Sequence, residues 1–262
     1  MGDLETIVAT NDVPDWALEA FHTYQSKHRH LSEVLRLSIL GLHQLRRQHD
    51  LAVALHKLNR LGEDPDKQLK GAELDQQLAE QEAQSGFSLL YEHAAIAMWG
   101  NLEATMRGFV ATWLANFPGA WQCEEVMKLR IRLGDYESLS QFDRCLWVVD
   151  LLDQEVSGPL RNGANRFESL LKPFGLAGSV ESDCQKSLFE LSQVRHVLVH
   201  RAGHADKRLI DACPWLELAA GKKLKVTEAM WRSYNAAIAS YVLELIGRVY
   251  KRFGATMPSG KS

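Results

Sequence analysis

The chain has 262 residues, 46% of them hydrophobic and 24% charged, which is enough apolar side chain to bury one large core or a core with an extension. A formal charge of −3 and a pI near 6.4 exclude a dedicated duplex-DNA binder with a broad basic face, and leave room only for a local basic cleft.

Residues 1–16 lack a positive segment followed by an apolar run, and no stretch approaches 18 uninterrupted apolar residues, so neither export nor anchoring is expected and the protein is read as cytoplasmic. From 16 to about 48, Leu18, Phe21, Tyr24, Leu31, Leu35, Ile39, Leu42 and Leu45 recur mostly at three- and four-residue steps. That stripe predicts one or two amphipathic helices, starting at Asp15 after Pro14. A short helix over 51–61 runs into "GEDPD" at 62–66, the clearest break in the first half. A boundary placed there separates an N-terminal helical extension, 1–66, from the domain 67–262.

Beyond the break, "QLKGAELDQQLAEQEAQSG" is polar enough for an exposed helix, and 87–117 is the most apolar helical run. "PGAW" at 118–121 punctuates it, a helix follows around 140–156, and "SGPLRNGAN" at 157–165 reads as a turn-rich loop. Ser182 or Asp183 is the expected cap of the next helix, which Gly203 should stop. Alternation on either side of Ala220-Gly221 in "WLELAAGKKLKV" predicts a small β-hairpin. Thr227 should cap a last helix reaching about 253, with a frayed tail after it. Almost every segment has helical period, so the fold class is all-α. Cys123, Cys145, Cys184 and Cys213 are far apart and form no C-x-x-C pair, which points to reduced thiols rather than a zinc ribbon or redox motif.

The stretch richest in chemistry is "VRHVLVHRAGHAD", 194–206. With ten histidines in the chain, an Arg five residues before a His arises readily by composition, so placement has to carry the reading. A helical projection puts Leu191, Val194 and Leu198 on one face, and His196 and His200 opposite them with Phe189 and Gln193 alongside. Arg195 falls at the flank, its stem over apolar surface and its guanidinium toward the edge. Three readings stay open. One is a solvated face, although Lys and Glu are its usual occupants. A second is a metal site of His196, His200 and His204 with Asp206, weakened because Gly203 takes His204 out of register. The third is phosphoryl chemistry on RNA: a neutral histidine takes the proton of a ribose 2′-hydroxyl, an imidazolium protonates the departing 5′-oxygen, and arginine balances charge on phosphorus. A symmetric dimer would double the set of Arg and His across a shared cleft.

The segment resembles the HEPN superfamily, whose ribonuclease members carry an R-x(4–6)-H motif. Arg195, followed by the polar His196 and then His200, matches that pattern, and Glu190 upstream, "HRAGHAD" downstream, a short excursion and a long final helix are also similar. The resemblance covers about 85–253 and is specific in 190–206. It implies a HEPN-like helical bundle that works as a homodimeric, metal-independent endoribonuclease, often in toxin–antitoxin, abortive-infection or antiphage-defence systems, with no cofactor. By carry-over, Arg195 and His200 form the catalytic pair, His196 shapes the site, and Glu103 or Glu190 orients Arg195. The implied partners are RNA (tRNA or mRNA), a second copy, and an antitoxin or defence-complex protein. A non-catalytic HEPN-like module that binds a nucleotide or protein is the alternative.

Lys222, Lys223 and Lys225 are candidate RNA-phosphate contacts, although a charged turn is the favoured explanation; the same holds for Lys128 with "LRIRLGD". Trp99, Trp113, Trp147 and Trp231 sit in apolar helical stretches and read as core.

Overall fold

The computed structural model describes residues 12–156 and 162–258. Part of the expected 157–165 loop, namely 157–161, lies outside the described residues, as do 1–11 and the last four positions of the tail. Among the described residues eleven α-helices follow in order: α1 Asp15–Leu45, α2 Gln48–Lys57, α3 Pro65–Gln84, α4 Ser88–Asn116, α5 Glu124–Met127, α6 Leu133–Glu137, α7 Gln141–Val156, α8 Ala164–Leu171, α9 Ser182–His200, α10 Lys207–Ala212 and α11 Glu228–Arg252. The class is all-α, and among the described residues there is no β-strand. No helix among the described residues is long and apolar enough to cross a membrane.

The central element is α4. It buries Ala95, Met98, Leu102, Met106, Val110, Trp113 and Leu114, side chains that point to more than one side of the helix. A helix that is apolar nearly all round is stable only when covered on several sides. It is packed by α1, α7, α8, α9 and α11. The sequence allows one or two helices over 16–48; α1 is a single long helix whose Ala17, Leu18, Phe21 and Tyr24 join the same core as α4 and α11. The break at 62–66 is present as an entry turn, where Asp64 accepts from the Lys67 N–H at 3.1 Å and Pro65 occupies the first helical position. The helix that follows, α3, is largely exposed as expected, and it pairs with α2.

Thr227 caps α11 as the sequence predicts, accepting from the Met230 N–H at 3.2 Å. The cap of α9 is one residue earlier than expected. Glu181, rather than Ser182 or Asp183, accepts from the backbone N–H groups of Asp183 and Cys184, a carboxylate facing the positive end of the helix. The helix α8 starts at the end of the turn-rich stretch and runs on beyond it. Its entry residue, Gly163, has φ +62, and a Cβ there would fall 2.7 Å from the Phe189 Cα, so the chain lies directly against the α9 backbone.

The expected hairpin is the main correction to the fold. The turn forms, with the Lys222 N–H donating to Ala219 O at 3.1 Å, but its first arm is a 3-10 turn, Pro214–Leu216, followed by Glu217 at φ +52. Proline without an N–H and a left-handed residue together prevent an extended arm. The second arm pairs instead with the segment leaving α9. Ala205 N–H donates to Lys222 O at 2.9 Å and Leu224 N–H to Gly203 O at 2.8 Å, leaving one antiparallel bridge between His204 and Lys223.

Candidate active site

The described helix α9 buries Leu188, Leu191, Val194 and Val197. Its first three buried leucine and valine positions pack in the main core, while Val197 joins a small second cluster with Ala205, Leu209 and Cys213. Phe189 packs against this second cluster, and Gln193, on the same stripe as Phe189 and Val197, is only 3% exposed. The face expected to be polar is therefore partly covered: Gly203, at φ +77, turns the chain back so that 205–213 lies over it.

What stays open is a narrower band. His196 is half-buried and His200, the last residue of α9, is exposed; their rings lie 4.8 Å apart at 48°. Burial and the positive charges of Arg208, His200 and Arg201 hold the His196 imidazole below the ordinary histidine range, with Asp206 acting in the opposite direction. His196 therefore favours its neutral, proton-accepting form near neutral pH.

His204 leaves the register of the other two histidines, and its Nδ1 lies 3.3 Å from Arg201 O. Asp206 caps α10, accepting from the Leu209 N–H at 2.9 Å, and sits 3.5 Å from Arg201. Among the described residues no three His, Cys, Asp or Glu side chains are grouped to share a metal ion.

Arg195 points toward α4. Its Nη2 is 3.8 Å from Glu103 Oε2, and its Nε, which is buried, has no hydrogen-bond partner among the described residues. Glu103 is therefore the acid beside Arg195. The other expected acid, Glu190, is turned away: it accepts from the Tyr234 hydroxyl at 2.6 Å and from the Trp215 indole N–H, tying α9 to α11 and to the 214–216 turn. Residues 190 and 195 differ by about 140° around an α-helix, so both cannot face the same neighbour.

The surroundings of Arg195 contain four residues that the sequence did not single out, Arg107, Asp150, Asp153 and Arg166. Arg166, on α8, donates to Glu103 Oε1 at 2.7 Å and to Asp153 Oδ1 at 3.1 Å, and also pairs with Asp153 Oδ2. Arg107 pairs with Asp150 next to them. Its hydrogen bond to the Asp153 carboxylate, with the nearby Glu103 carboxylate, raises Arg166 above its ordinary value against the cost of its burial. The only sequence signal for this cluster is helical spacing: Glu103 and Arg107 lie four apart on α4, and Asp150 and Asp153 lie three apart on α7.

Lys222, Lys223 and Lys225 are exposed. The bridge at 203–205 brings the first two beside the exit of α9, and the Lys223 stem lies over Gly203. Together with Arg201 and Arg208 they give the His196–His200 end a basic rim. Of the four tryptophans read as core, Trp99, Trp113 and Trp231 are buried, and Trp147 is half-buried against Tyr136. The chain matches no family model, no curated protein and no solved structure.

Proposed function

We propose that the protein is a metal-independent endoribonuclease of the HEPN type, acting through Arg195, His196 and His200. The observation that carries this reading is an arginine at the edge of α9 whose Nε meets no acceptor among the described residues, in the same two turns as a neutral-favouring histidine and an exposed one, beside a basic rim. In this reading a neutral imidazole accepts the 2′-hydroxyl proton and the 2′-oxygen attacks phosphorus. The P–O5′ bond breaks, and an imidazolium supplies the proton to the 5′-oxygen, leaving a 2′,3′-cyclic phosphate and a 5′-hydroxyl. Arg195 balances the charge that accumulates on the phosphoryl oxygens, and the Lys222 and Lys223 rim holds flanking phosphates.

Residues five apart diverge by about 140° around the helix, so Arg195 and His200 of one copy do not face one point. A two-fold dimer in which each copy supplies part of the cleft resolves this, and bacterial toxin or antiphage effectors are the expected biological setting. The same divergence favours the second reading, a non-catalytic module that binds a nucleotide or a protein.

The deciding experiment incubates wild type and His200→Ala with total tRNA and mixed RNA in EDTA and maps the ends. Cyclic-phosphate ends from wild type alone support the nuclease. Cleavage by both proteins removes the assignment from His200, and cleavage by neither favours the binding module.

A further inference from the structure

Among the described residues, three arginines and three acids meet where α4, α7, α8 and α9 converge, and they are not equally matched. Arg107 pairs with Asp150. Arg166 takes both oxygens of Asp153 and Oε1 of Glu103. Arg195 is left with Glu103 Oε2 at 3.8 Å, which is an ion-pair distance but not a hydrogen bond, and with a buried Nε that meets no acceptor among the described residues. A guanidinium 31% exposed beside a carboxylate would ordinarily close onto it in a two-pronged pair. Here the carboxylate is held by Arg166.

We propose that Arg166 is a positioning residue: by occupying Glu103 it prevents that acid from closing on Arg195 and keeps the Arg195 guanidinium available for a phosphate. The proposal rests on Arg195 being the phosphate-facing cation of the site. Arg166 is fitted to this role because Asp153 anchors it from the other side, so that its Nη1 is directed at Glu103. Glu103 then acts as a shared acid whose balance between two arginines sets how much of Arg195 is free. In Arg166→Met, Glu103 loses its stronger partner and turns to Arg195, sequestering it. In Arg166→Met/Glu103→Gln the competing charge is gone and Arg195 is free again.

The test has two readouts. With 15N-arginine labelling, exchange of the Arg195 guanidinium protons with solvent should slow about tenfold in Arg166→Met and return toward wild type in the double variant. Affinity for an all-2′-deoxy oligonucleotide, which carries the phosphates but cannot be cut through a 2′-hydroxyl, should fall about tenfold in Arg166→Met and recover in the double variant. If Arg166→Met does not fold, Arg166→Lys keeps a charge for Asp153 while losing the fork that spans both acids, and should shift both readouts in the same direction. Unchanged exchange, or loss without rescue by Glu103→Gln, overturns the proposal. Exchange that responds as expected in a protein whose wild type cuts no RNA upholds the competition and sinks the ribonuclease reading instead.

Discussion

Two clusters of arginine and carboxylate in this molecule have opposite characters. At the α8–α11 contact, Glu168 accepts from the Tyr241 hydroxyl at 2.8 Å, from Arg248 Nη1 at 2.8 Å and from the Gly178 N–H at 2.7 Å. Arg248 also donates to Leu176 O, Ser179 O and Glu244. The pair is 15% and 12% exposed, so its strong donors and acceptors are met inside the protein. Burial, with the Glu168 carboxylate next to it, drives the Tyr241 phenol well above its usual range and keeps it a hydrogen-bond donor. Around Arg195, by contrast, the arginine on the open side is the one left short of acceptors. A closed network locks a loop onto two helices, whereas an open one leaves a charge for something outside the chain.

The largest expected effect breaks the closed cluster. Glu168→Ala should leave Arg248 and Tyr241 without their main acceptor and destabilise the protein by about 3–5 kcal/mol, read as a shift of the denaturation midpoint. A loss under 1 kcal/mol would show that the cluster is not the clamp its geometry describes.

Gly163→Ala tests the seat of α8, which carries Arg166. A Cβ 2.7 Å from the Phe189 Cα, on a residue at φ +62, should cost about 1–3 kcal/mol, and Arg166 should shift from Glu103. Wild-type stability in this variant would mean that α8 sits more loosely on α9 than the contact requires.

In the open cluster, Arg195→Ala should change stability by less than about 1 kcal/mol, because among the described residues the side chain gives up one long ion pair and no hydrogen bond. A larger destabilisation would make Arg195 structural and bring the two clusters into the same category.

The smallest effect is on pH. The folded His196 value lies below its ordinary 6.5, so the neutral form is the one the fold favours. Its contribution to stability is present above 6.5 and is lost as pH falls through the lowered folded value. His196→Asn should therefore narrow the drop in Tm between neutral and mildly acidic buffer, and an identical drop in both proteins would remove His196 from the acid response.

Helix periodicity was legible along the chain because an amphipathic or wholly apolar helix repeats its pattern locally, as in α1, α4 and α11. So were Asp15 at the start of α1, Thr227 at the cap of α11 and Gly203 at the end of α9, since each acts within one turn of its own backbone. Missed were α8, which is only two turns long behind a run of turn residues, and the fate of 215–226, whose alternation is real but whose partner is the exit of α9. Gln193 was misplaced for the same reason: a projection of one helix does not show what folds back over it.

For the site, the sequence by itself determined the residue types in 194–206, their spacing and the polarity of their helix. Only the tertiary structure decided that Glu103 and not Glu190 stands beside Arg195, that Arg166 and Asp153 complete the group, and that Lys222 and Lys223 flank the exit of α9. The reason is physical. Periodicity and capping are interactions between residues a few positions apart, and they leave their mark on the chain itself. Pairing between charges on α4, α7, α8 and α9 depends on distances set by core packing, and no local pattern carries them.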